Sequence, residues 1–278
     1  MDTGKRIAQL VQEACIREAC APKPGNVNRN HDFPETTIED LLLSAVAVGP
    51  AFENLVNVCI GQTIWQAAAD TRKLVKSNTN LGIILLLAPL AKACLIGARN
   101  VRQNLNAVLH SLTVEDARLT YKAIRLSNPG GLGQVSRHDV AEDPFVTLLE
   151  AMAFAKDRDA IASEYVTDYE ITFGMGLPAL KEALSKGIGF SDAVVQTFLT
   201  ILSRIPDTLI VRKNGVEISR RVSNRAEEAL LRGGIYTSEG RKKIQELDRS
   251  LRDDSHKLNP GTTADLTAAA IFLALLDA

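Results

Sequence analysis

The sequence predicts an all-α protein, a single multi-helix globular domain over residues 1–278. Three observations point there. Apolar residues recur at helical spacing along most of the chain, period-two alternation is nearly absent, and aromatic residues make up only 5%. Ile7, Leu10, Val11 and Ala14 form the first stripe, which stops at Ala21-Pro22-Lys23-Pro24-Gly25. Thr36 with Glu39 reads as a capping box in front of Leu41 to Val48. Asn54 to Val75 reads as one long amphipathic helix carrying Leu55, Val58, Cys59, Gln62 and Trp65. Thr113 with Asp116 caps a helix ending near Ser127, and Asp143 before Pro144 reads as an N-cap and first helical residue. Further helices run from Ser191 to Ile205, from Ser238 through Leu251 on a basic surface, and from Thr262, with Asp265, to Leu276. Lys213-Asn214-Gly215-Val216 reads as a short hairpin or a turn.

A chain of 278 residues has room for one or two domains, but no linker, low-complexity tract or repeat divides it. Lys and Arg number 32 against 33 Asp and Glu, and the two signs are mixed throughout. No basic block offers a nucleic-acid surface, so an anionic ligand must be held by a local cluster. Cys15, Cys20, Cys59 and Cys94 form no Cys-x-x-Cys pair and read as reduced, mostly buried thiols. The greasiest run, Leu81 to Ala98, is interrupted by Pro89 and Lys92 and reads as a core helix, not a membrane span. Charges begin at the N-terminus with no apolar signal core behind them, so a cytoplasmic protein is expected.

Five junctions combine permissive backbone with polar side chains beside very apolar helices. They are Pro22-Lys23-Pro24-Gly25-Asn26, Ser77-Asn78-Thr79-Asn80-Leu81-Gly82, Ser127-Asn128-Pro129-Gly130-Gly131-Leu132-Gly133, Pro206 to Lys213, and Leu258 to Asp265. Glycine lets backbone approach a ligand, and inward amides ahead of a helix N-terminus suit a polyphosphate or a sugar. Each junction taken singly is also explained as a turn and cap. Neither the P-loop nor the dinucleotide fingerprint is present. His31, His110, His138 and His256 are isolated, with no paired metal-ligand spacing, and only His138, beside Asp139, stays a weak candidate. Asp139 and Asp143 lie one turn apart if their segment is helical, and Asp207 and Asp265 each stand at a loop-to-helix boundary. Mg²⁺ takes one or two carboxylates with water and substrate phosphates, so a set drawn from these four suits a Mg-nucleotide. Asp143 reads more readily as a cap, whereas Asp207 and Asp265 read equally as ligands or caps. Lys23, Arg212 and Lys213 are the nearby cations; Lys23, flanked by prolines, is the best placed, or is a solvated turn residue.

These loops, in this order, resemble the triphosphoribosyl-dephospho-CoA synthase family. The likeness rests on Pro22-Lys23-Pro24-Gly25, on Asn78-Thr79 with Gly82, on Asp207-Thr208, and on Pro260-Gly261-Thr262-Thr263-Ala264-Asp265-Leu266, and spans nearly the whole chain. It implies an all-α fold and a Mg²⁺-dependent transfer in which C1' of ATP is joined to the 2'-hydroxyl of 3'-dephospho-CoA and adenine leaves. On that resemblance Lys23 and the amides around Gly25 and Asn26 bind phosphates, with Asn78, Thr79, Asn80, Asn128, Gly130, Gly131, Arg212 and Lys213 in the same nucleotide site. Thr262 and Thr263 contact phosphate or ribose, and Asp207 and Asp265 stabilise charge or hold the metal. Well-known members place His-Lys after Asn-Thr; this chain has Asn80-Leu81. Another acceptor, a Mg²⁺-dependent hydrolase of an N-glycosidic or phosphate bond, and a non-catalytic nucleotide-binding protein are the competing expectations. The expected partners are ATP and dephospho-CoA, without nucleic acid or membrane, and a homo-oligomer is an option.

Overall fold

The computed structural model describes residues 3–133, 135, 137–252 and 256–277. Among them the structure is all-helical, and β pairing is confined to the isolated bridges Asn28–His31 and Phe33–Thr36. The chain packs as two compact units, Met1–Ile16 with Glu39–Glu170 (unit 1) and Arg17–Ile38 with Ile171–Ala278 (unit 2). Neither unit is contiguous in sequence, and helix α1 (Thr3–Cys20) contributes to both.

Unit 1 holds α2 (Ile38–Ala47), α3 (Gly49–Glu53), α4 (Ile60–Leu74), α5 (Leu81–Ile96), α6 (Val101–His110), α7 (Val114–Ser127), α8 (Leu148–Ala155) and α9 (Ala160–Val166). Its axis is α5, buried on all sides, as a helix apolar around its circumference must be. Pro89 lies inside α5 and removes the N–H that would bond the carbonyl of Leu85. The Tyr165 hydroxyl donates to that carbonyl at 2.6 Å, and Tyr169 donates to Leu86 O at 3.0 Å. Burial pushes both phenols well above their ordinary pKa, so they stay protonated donors. Tyr165→Phe orphans a buried carbonyl and should lower stability by about 1–3 kcal/mol, read by denaturant titration.

Where α4 packs on α7, Gly61 approaches so closely that a Cβ there would stand 2.5 Å from Asp116 Cα. The N–H of Gly61 donates to Asp116 Oδ1 at 2.7 Å, while Asp116 Oδ2 accepts from Thr113 in the expected capping box. Gly61→Ala should therefore push α4 off α7 and cost about 1–3 kcal/mol, a loss that a melting curve would register.

Several local expectations are corrected. Asn54 to Val75 is not one helix: Asn54–Val56 is a 3₁₀ turn, and α4 begins only after Cys59. Lys92 of α5 takes the carbonyls of Leu55 (2.9 Å) and Val58 (3.3 Å), acceptors that a continuous helix would use itself. Thr36 exchanges backbone bonds with Phe33 instead of capping α2, which starts at Ile38 with its N–H on Asp32 Oδ1. Asp143 caps nothing; the nearest helix, α8, starts at Leu148 under a capping box of Thr147 and Glu150. Cys59 is exposed, against the expectation of burial; Cys94 is buried, its thiol pushed up to about 12.

Unit 2 contains a π-helical turn (Thr172–Gly176) leading into α10 (Leu177–Ser185), then α11 (Phe190–Arg204), α12 (Thr208–Asn214), α13 (Val216–Leu231), α14 (Ser238–Leu251) and α15 (Gly261–Leu276). Its core is α15, apolar around its circumference and packed on α10, α11 and the π turn. The Lys213–Val216 segment is a helix-to-helix corner, with Gly215 at φ 88° ending α12 and opening α13. No single helix among the described residues is long and apolar enough to cross a membrane.

Candidate functional site

Three of the five junctions meet in unit 2, around the start of α15. Pro206 stops α11, with Ile205 held extended before it, and so sets Asp207 at the N-cap of α12. Asp207 Oδ1 accepts from the N–H groups of Leu209 (2.9 Å) and Ile210 (3.0 Å). Its Oδ2 accepts from the N–H (2.7 Å) and hydroxyl (2.8 Å) of Thr263. One carboxylate thus caps two helices. The second needs it, because the N-cap position of α15 is Pro260, which has no side-chain acceptor. The expected cap of α15 by Thr262 and Asp265 is absent, since both already lie inside the helix.

Asp207 is only 1% exposed, and its carboxyl is pushed up by burial, partly offset by its hydrogen bonds and the Arg212 charge. With four donors on two oxygens it is a structural joint, not a preformed metal ligand. Thr262 accepts from the Thr208 hydroxyl at 3.1 Å, tying the α12 and α15 termini a second time. Arg212 is half-buried and Lys213 exposed on α12, and Asp265 is half-buried in the second turn of α15.

The Pro22–Asn26 loop packs onto the same place. Gly25 has φ +74°, and a Cβ there would lie 2.8 Å from Leu251 Cβ and 3.1 Å from Pro260 Cδ. Its N–H donates to Asp248 Oδ1 at 2.8 Å, and the N–H of Asn26 donates to Lys23 O at 3.2 Å, so neither amide is left to cradle a phosphate. Arg252 pairs with Asp248 at 2.8 Å and donates to Asn26 O at 3.1 Å. Lys23 is neither a solvated turn residue nor an accessible phosphate ligand. It is fully buried, pairs with Glu18 Oε1 at 2.9 Å, and donates to the carbonyls of Glu18 and Ala21. Sequence reasoning passed over Asp248 and Arg252, whose one-turn spacing on α14 was the only local signal.

The other two junctions belong to unit 1. Asn78 Oδ1 accepts from Leu81 N at 3.3 Å at the start of α5, and the Thr79 hydroxyl meets that of Ser44 at 2.5 Å. Asn80 is buried and donates to Ser44 O (3.4 Å) and Thr71 Oγ1 (3.3 Å). Thr79 and Asn80 fasten the α4–α5 connection to α2 through Ser44. Asn128 ends α7 in the left-handed region (φ 45°), and the exposed Gly130 and Gly131 follow in a loop. Asp139 and Asp143 are not a helical turn apart, because their segment is irregular. Asp139 accepts from the amides of Val135 (2.8 Å) and Ala141 (2.9 Å), which hold its carboxyl below the usual range. Asp143 lies 3.7 Å from Arg125. Among the described residues no three His, Cys, Asp or Glu converge as metal ligands. An open cleft of about 380 Å³ in unit 1, lined by Asn54, Gln62, Gln66 and Asp70 among others, contains none of the expected site residues.

Comparison with known proteins adds the chemistry. Residues 4–278 match the family model described as CitG, ATP:dephospho-CoA triphosphoribosyl transferase. The chain is 26% identical, over 97% of its length and 91% of the relative's, to a protein of Pseudomonas savastanoi pv. phaseolicola assigned as a 2-(5''-triphosphoribosyl)-3'-dephosphocoenzyme-A synthase. A Pseudomonas fluorescens protein with the same assignment is 27% identical over the same shares. A crystal structure from Archaeoglobus fulgidus, assigned as a triphosphoribosyl-dephospho-CoA synthase, superposes with a TM-score of 0.66 at 31% identity, covering 85% of this chain and 98% of that one.

Proposed function

Because the chain belongs to the ATP:dephospho-CoA triphosphoribosyl transferase family, we propose that it transfers the triphosphoribosyl group of ATP to the 2'-hydroxyl of 3'-dephospho-CoA. The C1'–N9 bond of ATP breaks, the acceptor oxygen bonds to C1', adenine takes the electron pair, and the hydroxyl proton is released. The observation that carries this reading is the meeting of three family motif loops at one helix start, through Gly25 against Pro260, Asp207 on Thr263, and Thr208 on Thr262.

At such a place Arg212 and Lys213 of α12 supply the positive charge for phosphate oxygens, the first turn of α15 being capped already by Asp207. Asp265, half-buried in the second turn of α15, is the carboxylate of this set that we assign to face the cationic ribose of an oxocarbenium-like transition state. Lys23, Gly25, Asn26 and Asp207 serve the site by fixing its loops. The residues present do not fit a resident metal cage, so Mg²⁺ enters as the counter-ion of the triphosphate, on MgATP as substrate. In unit 1, the Asn78–Asn80 segment and the Asn128–Gly131 loop are the nucleotide-contact candidates that the family motif order supplies.

Incubation with MgATP, with and without dephospho-CoA, tests the reading by chromatography of adenine. Adenine release that requires the acceptor is expected. Release indifferent to the acceptor would make the protein a hydrolase, and no release would remove the transferase assignment.

A further inference from the structure

Resting on the transferase reading, we propose that the cleft lined by α3 and α4 of unit 1 is an adenine-binding site, read by Gln62 and Gln66. Its volume of about 380 Å³ lies within the roughly 300–1,000 Å³ of small-molecule sites. Pro50, Ala51 and Val58 give it apolar walls, which suit a planar ring. Most of its polar lining is one row of α4: Gln62, Gln66 and Asp70 are spaced by four and share one face of that helix. All three are half-buried. No basic residue lines the cleft, and its one carboxylate, Asp70, is already paired with Lys73 at 2.6 Å. Such a lining takes a neutral heterocycle, not a phosphate.

The amide of Gln66 has a fixed sense. Its Nε2 donates to both oxygens of Asp70, at 3.0 and 2.9 Å, and Lys73 binds the same carboxylate. Oε1 of Gln66 is therefore the end offered to a ligand, an acceptor that calls for an N–H group. The side-chain amide of Gln62, one turn earlier, is engaged by no other described residue and presents a donor and an acceptor together. Adenine matches this pair. Its exocyclic amine has two N–H bonds to give, one to Gln66 Oε1 and one to Gln62 Oε1, and the adjoining ring nitrogen accepts from Gln62 Nε2. Hypoxanthine, a 6-oxopurine, would set its carbonyl oxygen against Gln66 Oε1. Asp70 acts through Gln66, as a positioning residue. The adenine ring is common to ATP, dephospho-CoA and the released base, so each is a source of the ligand.

Calorimetric titration of the whole protein with adenine, hypoxanthine, ATP and dephospho-CoA tests this. Adenine should bind at least about tenfold more tightly than hypoxanthine, the cost of two acceptors facing each other. Gln66→Leu should weaken adenine about tenfold with the melting temperature unchanged. The same loss on ATP or on dephospho-CoA names that molecule as the source, and loss on neither names the released base. Asp70→Asn lets the Gln66 amide turn over, so the preference for adenine should fall to within a few fold; a purely structural Asp70 would lower both affinities alike. No adenine binding, equal binding of the two bases, or adenine binding untouched by Gln66→Leu would overturn the proposal. Absence of adenine release from MgATP by the native enzyme would instead strike the transferase reading alone, because the binding comparison needs no turnover.

Discussion

Replacing Lys23 by Met should destabilise the protein by about 3–5 kcal/mol, because it strands a buried carboxylate. Lys23 is fully buried, Glu18 is 6% exposed, and the two are joined at 2.9 Å. Removing the ammonium leaves the Glu18 charge without its partner and takes a donor from the carbonyls of Glu18 and Ala21. Glu18→Leu combined with Lys23→Met removes both charges and should recover a large part of the loss, since paired buried charges exchange well for apolar groups of similar volume. Chemical denaturation of the four proteins of this cycle gives the answer. Lost activity in Lys23→Met alone therefore says nothing about phosphate binding; MgATP-induced stabilisation has to be compared in the double variant.

Asp207→Asn should cost about 2–4 kcal/mol although it preserves shape. Asparagine keeps one acceptor and can still cap α12, but its amide then faces the N–H of Thr263, donor against donor. The hydroxyl of Thr263 can rotate to accept, whereas the backbone N–H of α15 cannot. The pH dependence carries a sign. Burial raises the folded carboxyl above its unfolded value, so the native state binds more protons across the interval between the two. The Asp207 contribution is complete below the unfolded value and is lost as pH rises through the folded one. The stability difference between native and variant proteins should shrink over that interval, as denaturation at stepped pH would reveal.

Helix limits set by neighbouring residues were legible in the sequence. The Thr113–Asp116 box starts α7, Pro206 follows α11, and α14 occupies the basic stretch from Ser238 to Leu251. Limits set at a distance were not. Lys92 breaks the Asn54–Val75 stripe from 34 residues away at its nearer bond, and Asp207 caps α15 from 56 residues away. The loops of the site stood out because Gly, Pro and Asn mark sharp backbone turns. Their side-chain roles did not, since a buried ion pair such as Lys23–Glu18 looks like two solvated charges when only the chain is read. Asp248 escaped notice for the same reason, its partner Gly25 being 223 residues away.

The mass of the acceptor after incubation with MgATP tests the central claim most directly. The account predicts that dephospho-CoA gains one triphosphoribosyl group for each adenine released. Unmodified dephospho-CoA, accompanied by adenine and free ribose triphosphate, would contradict it.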